Sequence, residues 1–379
     1  MKRYILLAIL LVTTSFAHAA ERPTVAILPF GIAKDRKSLK WLSFATASTL
    51  TETLRRIPSV RPLPFANVVQ ELQSAGIDPH QASWTPAVAT EPLGQWLKAD
   101  RVLLGAIGKK NDYKIANIIL QAQTPPTPTK GTQIWLAARV VDINNDQTLG
   151  KAYVEGHIDN IFNLQQELLI QLSNALNLDA HQTTRSHMSE TSLKVYQYTA
   201  EAEQHILTLP TLTTEKQQSR TLKRAIKAVE RALKRNPESA MAHTLQGTLY
   251  GIQNQPKSAT QAFETAIEKD PGFRTPHYGL VDLALQQEDL PQAVRMLETI
   301  TQIAPYDDDA FHLQGTVYRL LDQPKQALSA YQNALKAYKN RPETRYEAGL
   351  IYLSQNQTRK AILALQQAVE QIPGELIYQ

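Results

Sequence analysis

The sequence predicts an α/β amino-terminal domain, a mixed sheet with helices, followed by an all-α superhelix of stacked helical pairs. Three observations carry this. From about Ala225 to Pro373 the same residue types return every 34 positions. Between Thr24 and Leu178, short apolar runs rich in β-formers alternate with segments of helical spacing. A chain of 379 residues is also too long for one ordinary core.

The period is carried by Ala225, Ala259, Ala293, Ala327 and Ala361, and by Gly247, Gly315 and Gly349, with Val281 in the remaining glycine slot. Tyr250, Tyr318 and Tyr352 follow the glycines; Pro237, Pro271, Pro305 and Pro373 close the units, with Lys339 in the missed proline slot. Within one unit the spacing predicts a first helix ending near Gln253, a turn at 254–257 and a second helix. Gly247 lets the two helices approach closely because it has no side chain. Ala259, Phe263 and Ala266 share one face of the second helix, and Pro271 forces the chain out of it.

The pattern Gly-x-x-Tyr followed by Ala-x3-Phe-x2-Ala-x4-Pro resembles the tetratricopeptide repeat. A period of this length means units that bury their apolar faces against their neighbours. The expected boundaries are 192–373 for about five units, the first irregular with an insertion near 209–218, and a tail at 374–379.

Residues 1–20 carry Lys2-Arg3, an apolar run from Ile5 to Val12 and the triplet Ala17-His18-Ala19, the order of a secretory signal peptide cleaved near Ala19 or Ala20. The apolar core is too short to span a bilayer. The chain has no cysteine, so the expected mature protein is neither a lipoprotein nor dependent on disulfides. A periplasmic location is therefore expected. Forty basic residues face 35 acidic ones; without Lys2 and Arg3 the balance is 38 to 35, too small an excess to argue for nucleic acid.

In the expected α/β domain, 21–180, the run from Thr24 to Phe30 predicts a buried strand and 39–57 a helix. A proline-interrupted strand follows at 60–65, then short helices at 67–75 and 91–99. Strands are expected at 101–107, 114–123, 132–143 and 151–158, with a turn at Asn144-Asn145-Asp146 and a closing helix at 160–178. Gly31, Gly105 and Gly108 lack the companions of a phosphate cradle and are expected in turns.

The segments Val25-Ala-Ile-Leu-Pro-Phe30, Ala99-Asp-Arg-Val-Leu-Leu-Gly105, Arg139-Val-Val-Asp142 and Ile161-Phe-x-Leu-Gln-Gln-Glu-Leu168 are similar to the TolB amino-terminal-like domain, apart from a long insert at 123–132. The resemblance implies a non-catalytic binding or assembly module. Related α/β domains occur in outer-membrane assembly proteins of the curli and flagellar types, which gives the alternative function of an assembly factor. No residues are assigned to catalysis, cofactor or metal: the nine histidines never show ligand spacing such as H-x3-H, and His243 and His277 share a repeat position expected to pack.

A polar linker is expected at 181–191, then a helix at 192–207 with Tyr196 and Ala200 inward. On the next helix Arg220, Lys223, Lys227, Arg231 and Lys234 form a basic stripe opposite Ala225, Val229 and Ala232. The stripe reads either as a solvated face or as a contact for an acidic partner or anionic lipid headgroups, which would make any membrane contact peripheral. The tetratricopeptide resemblance puts Thr244, Thr248, Tyr278, Asp282, Gln286, His312, Thr316, Arg319, Tyr346 and Leu350 on a concave groove for a protein or peptide partner. Asp307-Asp308-Asp309 is expected to cap a helix. The function predicted is a non-enzymatic periplasmic scaffold or adaptor.

Overall fold

The computed structural model describes residues 22–33, 37–79, 97–121, 129–178 and 192–371. The expected signal peptide, the linker, the tail, most of the helix at 91–99 and most of the insert at 123–132 lie outside the described residues.

The α/β region opens with β1 (Thr24–Ile27) and β2 (Gly31–Ile32), then α1 (Lys40–Arg55), β3 (Arg61–Pro62) and α2 (Phe65–Ser74). It continues with β4 (Arg101–Lys109), α3 (Ala116–Leu120), β5 (Ile134–Asp142), β6 (Gln147–Gly156), α4 (Ile161–Gln171) and α5 (Ser173–Leu176). The sheet order is β3-β1-β4-β5-β6, with β2 also pairing β4. The β1, β2 and β3 pairings are parallel and the β4-β5-β6 meander is antiparallel.

Burial on both faces explains the continuous apolar run at the first strand. Val25 and Ile27 face α1 and α4 together with Leu103, Leu136 and Val140, whereas Ala26 and Leu28 face Val68 and Leu72 of α2. The expected single strand 24–30 breaks at Pro29, which has no N–H for the ladder, and Phe30 N–H donates to Ser43 O at 3.1 Å.

Two expectations are corrected. In the described part of the strand expected at 114–123, residues 114–121, a 3-10 turn ends and α3 follows, because Ala116, Ile119 and Leu120 are buried at helical spacing while Ile118 faces out. Gly31 lies in β2 and Gly105 and Gly108 lie inside β4, none of them in the expected turns. A Cβ at Gly105 would fall 2.3 Å from the Phe30 ring and one at Gly108 2.2 Å from the Trp135 ring, so each glycine makes room for an aromatic.

The second region is a run of five antiparallel helical pairs among the described residues. These are α6 (Leu193–Thr208) with α7 (Glu215–Arg235), α8 (Ala240–Ile252) with α9 (Pro256–Lys269), and α10 (Arg274–Gln286) with α11 (Leu290–Ile303). The last two are α12 (Asp308–Leu320) with α13 (Pro324–Ala337) and α14 (Pro342–Ser354) with α15 (Thr358–Gln371).

The repeat residues have direct packing causes. A Cβ at Gly247 would meet Phe263 at 2.7 Å and one at Gly315 would meet Tyr331 at 2.4 Å. In the unit of Val281 the aromatic position holds Leu297, and both are fully buried in one cluster. Between the paired helices of the last four units, Asn254, Glu288, Asp322 and Asn356 recur at the same period with φ of 55–58°, the left-handed residue that ends the first helix. Where proline is missed at Lys339, Pro342 at the first turn of α14 fixes the next start instead.

The two regions share a core. Tyr196 and Ala200 of α6 face not the repeat interior but the α/β region, where they join the cluster of Leu42, Leu50 and Leu168. Tyr196 packs edge-on to Trp41 at 5.4 Å, and its hydroxyl meets Thr49 Oγ1 at 2.9 Å and accepts from Gln165 Nε2 at 3.0 Å. Residues 41–51 of α1 are therefore buried all round, sheet on one side and helices on the other. This accounts for the small polar residues Ser43, Thr46, Ser48, Thr49 and Thr51 in a helix with no solvent face.

Candidate functional site

The face that carries the expected groove residues divides into a sealed part and an open part. Sealing comes from α1 and the β1–β3 edge, which cover the starts of α10, α12 and α14. At the centre Asp308 lies buried between cations: Arg61 Nε donates to both its oxygens at 3.0 Å and Arg341 Nη1 to one at 2.5 Å, with Arg22 Nη1 at 3.9 Å. Asp309 receives Arg61 Nη2 at 3.1 Å and Arg341 Nη1 at 2.6 Å. Asp307 caps α12 by accepting from Ala310 N–H at 3.2 Å and also binds Arg274, whose other nitrogen donates to Arg55 O.

Three tyrosines close the remaining gaps. Tyr338 OH meets Thr24 Oγ1 at 3.0 Å under the Arg61 guanidinium, which sits 4.6 Å over its ring. Tyr306 OH donates to Arg56 O at 2.9 Å, and Tyr278 OH to Asp307 Oδ1 at 2.9 Å with Arg55 over its ring. Burial alone would raise the Asp309 carboxyl, but Arg61 and Arg341 hold it well below the usual carboxylate range. Arg61 is correspondingly held above the ordinary arginine value, the desolvation that would lower it being outweighed by Asp309 and Asp308. The capping expected of the Asp307–Asp309 run is present, and the run is also the anchor between the two regions.

Beside this clamp, Glu203 of α6 accepts from Ser48 Oγ at 2.8 Å, and burial pushes its carboxyl up to about 7. It is thus poised to be protonated within the interface.

The expected groove residues fall on both sides of the division. Thr244 is buried and its hydroxyl donates to Ala240 O at 2.8 Å, so it does not line an accessible wall. Thr248 likewise turns to Thr244 O at 3.1 Å. Tyr278 is taken by the clamp. His312, held down to about 4 by burial and by Arg341, meets Thr344 Oγ1 at 2.9 Å and is neutral. Thr316 donates to His312 O at 3.2 Å.

Asp282, Gln286, Arg319, Tyr346 and Leu350 are exposed. Tyr346, Leu350 and Leu353 stand at i, i+4 and i+7 along α14, 37–53% exposed, beside an ion pair from Arg319 Nε to Glu347 at 2.9 Å. The site that remains accessible is therefore one apolar ridge with a charged margin. Sequence reasoning did not find the clamp arginines; their signal is charge at corner positions, Arg274 and Asp308 opening α10 and α12 where exposed residues normally stand.

Elsewhere the chemistry is sparse. A cavity of about 450 Å³ opens beyond the carboxyl end of β4, between Ser38, Leu39, Lys109, Lys110, Asn111 and Gln133; among the described residues its lining offers no carboxylate or imidazole as a general base. His243 Nε2 meets Pro237 O at 2.8 Å and His277 is buried, so both serve packing at the unit corners. Among the described residues no group of three or more His, Asp or Glu is placed to hold a metal, and no helix is long and apolar enough to cross a membrane. The stripe Arg220, Lys223, Lys227, Arg231 and Lys234 is exposed along α7, opposite the buried Ala225, Ala228, Val229 and Ala232.

Comparison with known proteins identifies the repeats. Tetratricopeptide-repeat family models match residues 252–315, 215–272 and 312–375, so the helical array is built of tetratricopeptide repeats. Similar solved structures include MamA from Desulfovibrio magneticus RS-1, 15% identical over 48% of this chain and 96% of that one, with a TM-score of 0.39. YrrB, described as a TPR protein with an unusual peptide-binding site, is 20% identical over 46% and 87%, with a TM-score of 0.37. PilF of Pseudomonas aeruginosa is 18% identical over 45% and 78%, also with a TM-score of 0.37. No curated protein matches.

Proposed function

We propose that this protein is a non-enzymatic binding scaffold that holds a segment of a protein partner on the open half of its concave wall, in the periplasm of a bacterium. The observation that carries the reading is the ridge of Tyr346, Leu350 and Leu353, large side chains left in solvent next to the Arg319–Glu347 pair. Apolar anchors rimmed by charge are what a partner segment buries. The α/β region supports the reading by fixing the starts of α10, α12 and α14, so that binding orders little of the array and costs correspondingly little entropy. The compartment rests on the order of charged, apolar and small residues in 1–20.

The test is affinity capture from an envelope fraction with the wild-type chain and with Leu350→Asp/Leu353→Asp. The variant is expected to lose the captured partner while keeping its thermal unfolding midpoint. Capture of the same partner in the same amount by the variant would contradict the assignment.

A further inference from the structure

Helix α7 differs from the second helices of the other units in length and in charge. It runs for 21 residues where α9, α11, α13 and α15 run for 14, and it begins ten residues before Ala225 where α9 begins three before Ala259. The insertion expected before it is thus built into a longer helical hairpin, extended by about two turns, roughly 10 Å. Along α7 eight basic residues face only Glu215 and Glu230. Among the described residues Arg220, Lys223, Lys227, Arg231 and Lys234 make no ion pair. One protein contact is recorded, Arg231 over the Tyr198 ring at 5.8 Å. From Arg220 to Lys234 the row spans about 21 Å at helical rise.

We infer that this face of α7 docks on the anionic headgroups of a phospholipid surface. Two observations favour lipid over an acidic protein. No large apolar side chain of α7 is exposed, so the row lacks the aromatic or aliphatic anchor around which protein interfaces form, and it is rich in lysine, which such interfaces avoid. A headgroup layer asks only for unpaired positive charge on an accessible, extended face. The apolar side of α7 is already spent on α6 and α8, which leaves the charged side outward. Contact with lipid is therefore peripheral, through charge and without insertion, and it leaves the ridge on α14 free.

The experiment is co-sedimentation of the full chain with phosphatidylglycerol and with phosphatidylcholine vesicles; any apolar contribution from residues 1–20 is common to both. Phosphatidylglycerol is expected to bind more tightly, with a preference that shrinks as salt rises. Each removed charge should weaken that preference about fivefold, so Lys223→Gln/Lys227→Gln should lose about 25-fold. Lys223→Arg/Lys227→Arg should keep it, as should Lys325→Gln/Lys336→Gln on the exposed side of α13. Equal binding to both vesicles, an undiminished glutamine pair, or an equal loss in the arginine or α13 pair would overturn the inference. Tighter binding to polyglutamate than to phosphatidylglycerol at equal anionic charge would assign the face to an acidic protein instead, and would overturn it as well.

Discussion

The starts of α10, α12 and α14 and the later turns of α14 are made from the same repeat and have opposite fates. At the starts of α10 and α12 the exposed corner positions carry Arg274, Asp307, Asp308 and Asp309, and these are buried or half-buried against Arg22, Arg55 and Arg61 of the α/β region. Along α14 the wall carries Tyr346, Leu350 and Leu353, and they stand in solvent. The difference teaches that a repeat array can close part of its own surface with polar residues, whose geometry admits one arrangement, while leaving an apolar part in solvent. Desolvation offsets much of what a buried ion pair gains, whereas removing one partner leaves the other charge buried and uncompensated.

Breaking the sealed side should have the largest effect. Asp308→Ala strands Arg61 and Arg341 without their shared carboxylate, and denaturant unfolding should show a loss of about 3–5 kcal/mol. The pH response should be next in size. Burial holds the Glu203 proton to about 7, whereas the unfolded chain releases it in the ordinary carboxylate range. Between those limits the folded state carries the extra proton, so stability falls as pH rises through the window, by up to about 2–3 kcal/mol, and the loss is complete above it. Glu203→Gln should flatten that slope in melts recorded across the window.

Smaller effects sharpen the comparison inside the repeats. Gly315→Ala drives a Cβ into the buried Tyr331 ring, at about 1–3 kcal/mol of overpacking offset by about 1 of helix propensity. Pairing it with Tyr331→Leu, the solution already used by Val281 and Leu297, should recover most of the loss in calorimetry. Smallest is a gain: Glu288→Asn places a residue that tolerates positive φ where glutamate now sits at 58°, and should stabilise by about 0.5–1 kcal/mol.

Much of this architecture was legible because its causes are local. The 34-residue period fixed helices, glycines and turns, since each unit meets its neighbour through the same few positions. The strands with two buried faces showed as unbroken apolar runs. What escaped notice depends on contacts far apart in sequence. Arg61 and Asp308 are 247 residues apart, and neither residue's neighbours announce the other. Tyr196 and Ala200 had the spacing of repeat residues but face Trp41 and Leu42, because α6 serves two cores. The segment 114–123 was apolar enough for a strand, and only the burial of every third or fourth residue marks it as helical. Of the expected groove, Asp282, Gln286, Arg319, Tyr346 and Leu350 are accessible, while Tyr278 and His312 are taken by internal partners, a division that follows from docking and not from the repeat.

Hydroxyl-radical footprinting of the full chain tests the divided wall most directly. Tyr346, Leu350 and Leu353 should oxidise rapidly while Tyr278 and Tyr338 stay protected, and Asp308→Ala should raise the rates at Tyr278 and Tyr338 alone. Equal rates at Tyr278 and Tyr346 in the wild-type chain would contradict it.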